Sequence, residues 1–352
     1  MKSLDYLIVG QGLAGSLLAW ELMQRGCRVE VVDNQAENAS KVAAGLINPV
    51  TGMRWVKQPN IEALLPTAKQ YYQRLEHFFK QDFYVERPML RLLRSEKEKL
   101  KYQQRLNTDG YSDFLAAEIE QAPSGIQADL GVVRQKQTAY VLIPALLACL
   151  RDYFQQQGCY HAEEFDYDAL VYVDNQLCWQ NRTFQKVIFC EGYRGVDNPW
   201  FKYLPFQLAK GEILSLSSAK PIVAEMLNYG RWFIPLNSYQ CRIGATFEHE
   251  CLNTDSTVAA KDDLLAGLLK VMPDAEHFSL DKQQANIRPT TLDKAPFIGC
   301  HPDYKHYGIF NGFGAKGSLY VPFYSQQFAD YLLESKPLDA LVDCQRYDFN
   351  AA

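Results

Sequence analysis

The glycine-rich segment VGQGLAG near the N-terminus constrains the fold more than any other feature of the chain. It places Gly10, Gly12 and Gly15 in the spacing G-x-G-x-x-G. The apolar segment LDYLIVG before it predicts a buried strand, and LAGSLLAWELMQRG after it has the apolar spacing of a helix that Gly26 ends. The segment CRVEVVD then predicts a second strand, which ends at Asp33. This order of strand, glycine loop, helix and strand predicts a βαβ unit of the dinucleotide-binding type.

Each conserved position of such a loop has a physical role in holding a dinucleotide. Gly10 permits the tight turn, Gly12 lets the backbone approach a pyrophosphate, and Gly15 lets the helix pack on the strand. The helix N-terminus offers N–H groups and about half a positive charge to the phosphates. Asp33 lies near the offset of roughly 20 residues at which a carboxylate binds a ribose, and it would repel the 2′-phosphate of NADP. The motif alone leaves FAD and NAD open.

Length and charge limit the classes of protein to consider. A chain of 352 residues predicts two domains, or one large α/β unit with an additional layer. The net charge of −5 and the isoelectric point of about 5.8 weigh against a nucleic-acid partner. Asp5 interrupts the first apolar segment and no apolar run approaches the roughly 20 residues of a membrane helix. We therefore expect a soluble, cytoplasmic protein with no signal peptide and no membrane partner.

The cysteines and histidines indicate neither a disulfide framework nor a metal site. The nine cysteines include no C-x-x-C pair, which is typical of reduced, cytosolic proteins. Four of them, Cys27, Cys149, Cys178 and Cys190, lie in apolar runs and are interpreted as buried. The six histidines show no metal-ligand spacing, so no metal is expected.

The rest of the chain alternates between helical and strand patterns. Residues 61–81 predict a helix that Pro66 can interrupt, residues 94–106 a charged helix with a solvated face, and residues 139–158 a helix closed by Gly158. Three segments, KGEILSLSS, RWFIPL and YQCRIGATFE, predict antiparallel strands of a second domain. A last apolar strand, YGIFNGFG, precedes a final helix, so nucleotide-type patterns occur at both ends of the chain and predict interleaved domains.

Taken in order, the first motif and five further segments make the chain resemble a known family. The motif VGQGLAG is followed by AAGLINP, KVIFCEG, RIGATFE, IRPTTLDKAPFIG and GFGAKGSLYVP. This ordered set resembles the D-amino-acid oxidase superfamily of FAD enzymes, which includes glycine oxidase, sarcosine oxidase and the FAD domain of a tRNA wobble-uridine modifying enzyme. The resemblance implies an α/β fold, in which a Rossmann-type FAD-binding domain is interleaved with a substrate domain on a mixed, largely antiparallel sheet. The implied FAD-binding domain comprises residues 1–80, 139–202 and 286–352, and the substrate domain residues 81–138 and 203–285.

The resemblance also implies which residues contact FAD, bound without a covalent link. These are Gly10, Gly12, Leu13, Ala14, Gly15, Asp33, Asn34, Ser40, Ala43, Ala44, Gly45, Cys190, Glu191, Gly192, Gly312, Gly314, Ala315, Lys316, Gly317 and Ser318. Ser40 to Gly45 resemble the loop that passes along the flavin ring. Glu191 departs from the family, in which a small or apolar residue is commoner, and a solvated carboxylate is an equally good interpretation of it.

Three residues are expected at the substrate. Arg288 resembles the arginine that binds a substrate carboxylate, although an ion pair with Asp293 is the alternative. Lys316 resembles the lysine of sarcosine oxidases, beside the substrate carboxylate or the reduced flavin, and an exposed lysine on a turn is its alternative. We expect Arg288 and Lys316 to serve catalysis, and Tyr229 to line the pocket or simply to pack as an aromatic side chain.

The resemblance favours oxidation of a small amine that bears a carboxylate, such as an amino acid or an N-substituted glycine. A hydride would pass to flavin N5, and O₂ would be the final acceptor. Three alternatives stay open: removal of a carboxymethyl group from a tRNA wobble uridine, an NAD-dependent dehydrogenase, and a flavoprotein that reduces a quinone or a partner protein. The acidic isoelectric point disfavours tRNA.

Overall fold

The structure is a computed structural model that describes residues 4–173 and 176–348. The outer ends of the predicted FAD-binding segments, residues 1–3 and 349–352, lie outside the described residues, as do residues 174–175. The described helices are α1 Leu13–Gln24, α2 Ala39–Val42, α3 Ile61–Phe79, α4 Glu96–Leu106, α5 Ile143–Gln156, α6 Val258–Leu269 and α7 Gly317–Glu334. The described strands are β1 Leu4–Val9, β2 Val29–Asp33, β3 Leu46–Ile47, β4 Val50–Thr51, β5 Val56–Lys57, β6 Tyr84–Glu86, β7 Met89–Leu92, β8 Leu115–Glu120, β9 Val132–Gln135, β10 Ala139–Val141, β11 Tyr160–Ala162, β12 Val171–Val173, β13 Gln176–Trp179, β14 Arg182–Phe189, β15 Ala209–Ser217, β16 Met226–Asn228, β17 Trp232–Pro235, β18 Gln240–Gly244, β19 Ser279–Arg288, β20 Phe297–Cys300 and β21 Tyr307–Asn311.

The first sheet is built around the predicted βαβ unit. Strands β11, β2, β1, β14 and β21 run parallel in that order, while β12, β13 and β20 join them antiparallel. Tyr6 and Ile8 of β1 face the apolar cluster formed with α1, α3, α5 and α7, whereas Leu7 and Val9 face a second cluster on the other side. Apolar residues on both faces of β1 explain why its sequence is continuously apolar and does not alternate.

The second sheet carries eight strands in the order β19-β15-β18-β17-β16-β7-β9-β8, and it is antiparallel except where β16 meets β7. One face packs on α6 through an apolar cluster that includes Phe233, Ile243 and Leu264. The opposite face turns toward the first domain. Two small sheets, β3-β10-β6 and β4-β5, lie at the connections.

The predicted fold class is confirmed, because the chain forms a mixed α/β structure with a parallel nucleotide-type sheet and a largely antiparallel second sheet. The proposed domain division needs one adjustment. Strand β19 pairs with β15 of the second sheet as far as Arg288, so residues 286–288 of the third proposed FAD-binding segment lie in the second sheet.

Three helix predictions were wrong in detail. The segment 139–158 is not helical throughout, because its first three residues form β10, which pairs with β3 and β6, and α5 begins only at Ile143.

Helix α3 continues through Pro66, because a stripe of buried residues from Ile61 to Leu75 packs it against its neighbours and offsets the hydrogen bond that proline cannot donate. Helix α4 is not only a solvated face. It buries Glu98, whose Oε1 accepts a hydrogen bond from Nε of the buried Arg91 at 2.9 Å. A charge pattern along one helix cannot show that β7 supplies the buried counter-ion.

All nine cysteines are free thiols. Cys190 is buried as predicted, but Cys27, Cys149 and Cys178 are only half-buried. An apolar run in the sequence does not decide whether each of its members points inward, since these three lie after a helix end, on a helix and on a strand near the edge of a sheet.

Candidate active site

The loop between β1 and α1 has the geometry expected of a dinucleotide-binding turn. Gly10 has φ +103°, a conformation that residues with a Cβ atom rarely adopt. A Cβ atom on Gly15 would lie 1.9 Å from the carbonyl oxygen of Gly10, so only glycine allows α1 to pack this closely. The N-cap residue Gly12 has no side chain to cap the helix, which leaves first-turn N–H groups to face a ligand.

Asp33 and Ser40 hold the surroundings of this loop. Asp33 Oδ2 accepts a hydrogen bond from the Gln11 N–H at 2.8 Å, which ties the end of β2 to the glycine turn. Ser40 Oγ accepts a hydrogen bond from the Leu13 N–H at 3.0 Å, which ties the loop containing α2 to the start of α1. These bonds join three separate segments of the sequence at one place.

A cavity of about 580 Å³ opens between the carboxyl ends of the first sheet and the facing side of the second sheet. This volume lies within the usual range of cofactor and ligand sites. The predicted residues that line it are Gly10, Gly12, Leu13, Ala14, Asp33, Asn34, Ser40, Ala43, Ala44, Gly45, Cys190, Glu191, Gly192, Arg288, Gly314, Ala315, Lys316, Gly317 and Ser318. The structure therefore brings residues from all five predicted cofactor segments, and both predicted cations, to one cavity.

Strand order determines how charge is distributed along the cavity. Glu163 and Glu164 follow β11, and Asp33 ends β2; we call these three residues the acidic end. Lys316 follows β21 on the other side of the sheet. The N–H of Gly314 in the Lys316 loop donates to the carbonyl of Pro289 at 3.1 Å, so this loop meets the segment directly after Arg288. We call Arg288 and Lys316 the basic end.

Arg288 is a half-buried cation whose hydrogen-bond partners are neutral. Its Nη1 and Nη2 donate to the Thr246 carbonyl at 3.3 and 3.2 Å, and its Cζ lies 5.2 Å from the centre of the Phe247 ring. Burial lowers the pKa of Arg288 to about 10. The alternative partner Asp293 binds Arg346 instead, with Nε 2.8 Å from Oδ2. Among the described residues no carboxylate pairs with Arg288. Its planar guanidinium can therefore donate hydrogen bonds to an anion that enters the cavity.

Lys316 is half-buried at the start of α7. Its Nζ lies 5.5 Å from the centre of the Tyr320 ring, and within the described ranges it has no carboxylate partner. Burial, assisted by the neighbouring charge of Lys294, lowers the pKa of Lys316. An ammonium group that has been partly removed from water and has no counter-ion favours an incoming anion. The N-terminus of α7, which starts at Gly317, adds partial positive charge at the same place.

Glu191 lies between the two ends, directly after β14. It receives hydrogen bonds from the Tyr167 hydroxyl and from Asn198 Nδ2, the latter at 2.8 Å. Burial of its carboxyl group raises the pKa of Glu191 to about 7, although these two hydrogen bonds and Arg194 oppose the rise. Two hydrogen bonds therefore fix the carboxyl group of Glu191 at the cavity wall, and this carboxylate is not a solvated group on a loop.

Three predicted residues do not line the cavity. Tyr229 packs in the apolar cluster on the α6 side of the second sheet, whereas its neighbour Asn228 lines the cavity. Because successive strand residues point to opposite faces, Tyr229 is directed away from the site. Gly15 and Gly312 lie behind the cavity wall, where the absence of a side chain allows neighbouring segments to pack closely. A Cβ atom on Gly312 would lie 2.7 Å from the Thr291 side chain.

Sequence reasoning missed the residues that make room for Arg288 and hold Glu191. A Cβ atom on Gly211 would lie 2.0 Å from Nη2 of Arg288, so this glycine creates the space that the guanidinium fills. The glycine inside the strand pattern KGEILSLSS was the available signal, since an interior strand glycine often marks a close approach. Tyr167 and Asn198 lie in loops with no motif, and nothing in the sequence connects them to Glu191.

Residues 4–173 and 176–348 contain no group of three or more side chains that could together ligate a metal ion. No described helix is both long enough and apolar enough to cross a membrane.

Comparison with known proteins identifies relatives along nearly the whole chain. The family model DAO, described as FAD dependent oxidoreductase, matches residues 5–331. The glycine oxidase of Pseudomonas aeruginosa is 24% identical over 352 aligned positions, which cover 94% of this chain and 95% of that protein. The crystal structure of glycine oxidase from Geobacillus kaustophilus superposes with a TM-score of 0.85 at 19% identity and covers 99% of this chain and 100% of that chain.

A second kind of relative is longer. The tRNA 5-methylaminomethyl-2-thiouridine biosynthesis bifunctional protein MnmC of Marinobacter nauticus is 21% identical over 354 aligned positions. The match covers 93% of this chain but 55% of that protein, so the chain spans about half of its length.

Proposed function

The chain belongs to the DAO family of FAD-dependent oxidoreductases, and from this premise we propose that it oxidises a small amine that carries a carboxylate, such as an amino acid or an N-substituted glycine. The single observation that supports this proposal most is Arg288. It is a half-buried guanidinium with no carboxylate partner among the described residues, and it lines the cavity that also contains the dinucleotide loop.

The residues present fit FAD. The N-terminus of α1, where the N-cap residue Gly12 has no side chain, and the positive φ of Gly10 suit a pyrophosphate, and Asp33 suits a ribose. We propose that FAD binds without a covalent link. Acid precipitation of the purified protein should then release the flavin into the supernatant. A flavin that stays with the precipitate would contradict this part of the proposal.

When bound, FAD would act as the oxidant and would accept a hydride from the carbon next to the amine nitrogen. The chain itself has to bind and orient the amine. Arg288 offers two parallel N–H donors to the substrate carboxylate, and charged hydrogen bonds of this kind contribute on the order of 1.5–3 kcal/mol each. Lys316 and the N-terminus of α7 place further positive charge nearby, which favours either the same carboxylate or negative charge that develops during the reaction.

The oxidised product of such a step is an imine, which water hydrolyses to a carbonyl compound and an amine or ammonia. We propose that O₂ takes the two electrons back from the protein and leaves as hydrogen peroxide. Fast recovery of the oxidised spectrum in air, with stoichiometric peroxide, is the expected result. Slow recovery would favour a quinone or a partner protein as acceptor.

The test of the proposed substrate class is the visible spectrum of the purified protein under anaerobic conditions. Glycine, sarcosine, proline and both stereoisomers of common amino acids are added in turn. We expect the flavin band to bleach with one of these compounds, and to stay unchanged with the matching amine that lacks the carboxylate. Bleaching by none of them would overturn the small-amine proposal.

A second candidate function is the oxidative removal of a carboxymethyl group from a tRNA wobble uridine. The match to MnmC along 93% of this chain is the observation that favours it. The same anaerobic assay with tRNA isolated from a strain that accumulates the carboxymethylated base decides between the two. Bleaching by that tRNA and by none of the small amines would establish the second candidate.

A further inference from the structure

Arg242 is a half-buried arginine that lies outside the lining of the cavity. It lies in β18, where Cys241 and Ile243 on either side belong to the apolar cluster on the α6 face of the second sheet. Since side chains alternate along a strand, Arg242 points to the opposite face, toward the first domain. Burial lowers its pKa.

The guanidinium of Arg242 reaches across to the loop that contains α2. Nη1 donates to the carbonyl of Ala43 at 3.2 Å, and Nη2 donates to the carbonyl of Val42 at 3.1 Å. Both residues line the cavity, and they lie about two hundred positions before Arg242 in the sequence. One planar group therefore fixes two successive carbonyls, which a single-point donor such as lysine would not do.

Other hydrogen bonds also anchor this loop, and one of them comes from the second sheet, where Gln284 Nε2 of β19 donates to Glu37 Oε1 at 3.0 Å. The first domain supplies two more. Ser40 Oγ accepts from the Leu13 N–H, and the carbonyl of Gly45 accepts from the Val141 N–H at 2.9 Å. Arg242 adds an anchor from the second sheet. It thereby fixes the distance between the cavity wall made by Val42 and Ala43 and the sheet that carries Arg288.

Arg242 also brings a charge with no compensating carboxylate. No ion pair involves it in the described part of the chain, and its two partners are neutral carbonyls. An arginine keeps its proton even where burial lowers its pKa, so the positive charge remains in place. The charge lies against the carbonyls of two residues that line the cavity, Val42 and Ala43, in surroundings where electrostatic effects are stronger than in water.

We propose that Arg242 is a positioning residue for the flavin, which fixes the Val42–Ala43 segment against the second sheet and whose charge favours the negatively charged reduced flavin over the neutral oxidised flavin. The proposal rests on the cofactor of the family and is independent of the amine that the enzyme oxidises. Failure of the small-amine proposal would therefore leave it intact, and the reverse is also true.

The test is a reductive titration of the bound FAD against a reference dye, which needs no substrate. In Arg242→Gln, which retains hydrogen-bond donors but loses the charge, the preference for reduced over oxidised flavin should fall about tenfold. For a two-electron couple this equals a fall of about 30 mV in midpoint potential. Arg242→Lys retains the charge but loses the planar pair of donors that fixes the Val42–Ala43 segment. It should keep the wild-type midpoint potential but shift or broaden the flavin absorption band.

Arg87 provides a matched control. Its Nη1 also donates to two backbone carbonyls, those of Ala224 at 3.0 Å and Pro235 at 3.3 Å, and it does not line the cavity. Arg87→Gln should leave the potential and the flavin band unchanged. If Arg242→Gln has the potential of the wild type, or if Arg87→Gln shifts it equally, the proposal is overturned. Arg242→Lys retains the charge, so a fall in its potential equal to that of Arg242→Gln would also contradict the role of the charge.

Discussion

The two ends of the cavity are built in different ways. The acidic end, Asp33 with Glu163 and Glu164, lies where neighbouring parallel strands of the first sheet stop, beside a turn made almost entirely of backbone. The basic end consists of two long side chains, Arg288 from the second sheet and Lys316 from the loop after β21. Backbone geometry shapes the first region, and packing between distant segments shapes the second.

This difference determines what each end can recognise. Carboxylates and glycine turns suit sugar hydroxyls and a pyrophosphate, both of which every dinucleotide offers. Cations without counter-ions suit a negatively charged group that only some ligands carry. We therefore propose that the glycine turn with its acidic end serves a common cofactor, and that the basic end selects the substrate.

The largest effect is expected from breaking the glycine turn at Gly15. In Gly15→Ala the new Cβ atom would lie 1.9 Å from the Gly10 carbonyl, so α1 has to move away from the turn. We expect the purified protein to lose its FAD, with affinity reduced by more than about 100-fold, since several pyrophosphate hydrogen bonds depend on this geometry. The ratio of flavin to protein absorbance measures the loss.

Gly158→Ala is the control for that variant. Gly158 also has a positive φ, +67°, but a Cβ atom there would meet no atom within 4 Å. The substitution should cost about 1 kcal/mol of stability and leave the flavin content unchanged. Equal flavin loss in both variants would show that general destabilisation, and not the turn, is responsible.

The next largest effect is expected at the basic end. Arg288→Met removes two charged donors, so binding of a carboxylate ligand should weaken by about 100-fold while FAD stays bound. The change in the flavin spectrum on titration with a carboxylate inhibitor measures the affinity.

Gly211→Ala provides an independent route to the same result, because its Cβ atom would displace the Arg288 guanidinium without removing the charge. Tight carboxylate binding in Arg288→Met would remove this residue from the substrate site.

The same difference decides how much could be read from the sequence. The glycine turn and Asp33 belong to one continuous βαβ unit, whose strand and helix patterns are local in the sequence. The sequence therefore predicted their arrangement. Arg288 was expected from a family resemblance, but its partner Thr246 and the space left by Gly211 depend on strand pairing that no local pattern reveals.

Tyr229 shows how narrowly such predictions can miss. It stands in the right strand region of the sequence, yet the alternation of side chains places it on the α6 face and its neighbour Asn228 on the cavity face. A register difference of one residue decides which face a side chain occupies. The hydrogen bonds of Glu191 with Tyr167 and Asn198 come from loops that only the folded chain brings together.

A smaller effect is expected at Lys316. Lys316→Met should slow flavin reduction or weaken substrate binding by about tenfold, because one of two cations at the basic end remains. Rapid mixing under anaerobic conditions separates the two, since binding changes the concentration dependence and chemistry changes the limiting rate. Lys136→Met is the control: Lys136 is exposed, its Nζ donates to the Ser112 carbonyl at 3.0 Å, and it does not line the cavity. Unchanged kinetics in Lys316→Met would exclude this residue from the site.

The smallest effect is expected at Glu191, between the two ends. Burial raises its pKa to about 7, so the stability that its neutral form confers is complete below its usual pKa of 4.5 and is lost as the pH rises through 7. Tyr167, Arg194, Asp197 and Cys190 are the titratable groups that surround it, and burial holds the pKa values of the Tyr167 hydroxyl and the Cys190 thiol above their usual values, so both stay neutral there.

A diphosphate that enters beside this carboxyl group adds negative charge, and the protein should therefore take up part of a proton when it binds FAD. We expect the affinity for FAD to fall about fivefold between pH 6 and pH 8. Fluorescence of released flavin at each pH measures it, and Glu191→Gln should remove the dependence. Glu164→Gln, which changes an exposed carboxylate of the acidic end, should retain it. If the pH dependence of the FAD affinity survives in Glu191→Gln and disappears in Glu164→Gln, the proton is taken up by a carboxylate of the acidic end. Glu191 would then not be the group that links FAD binding to pH.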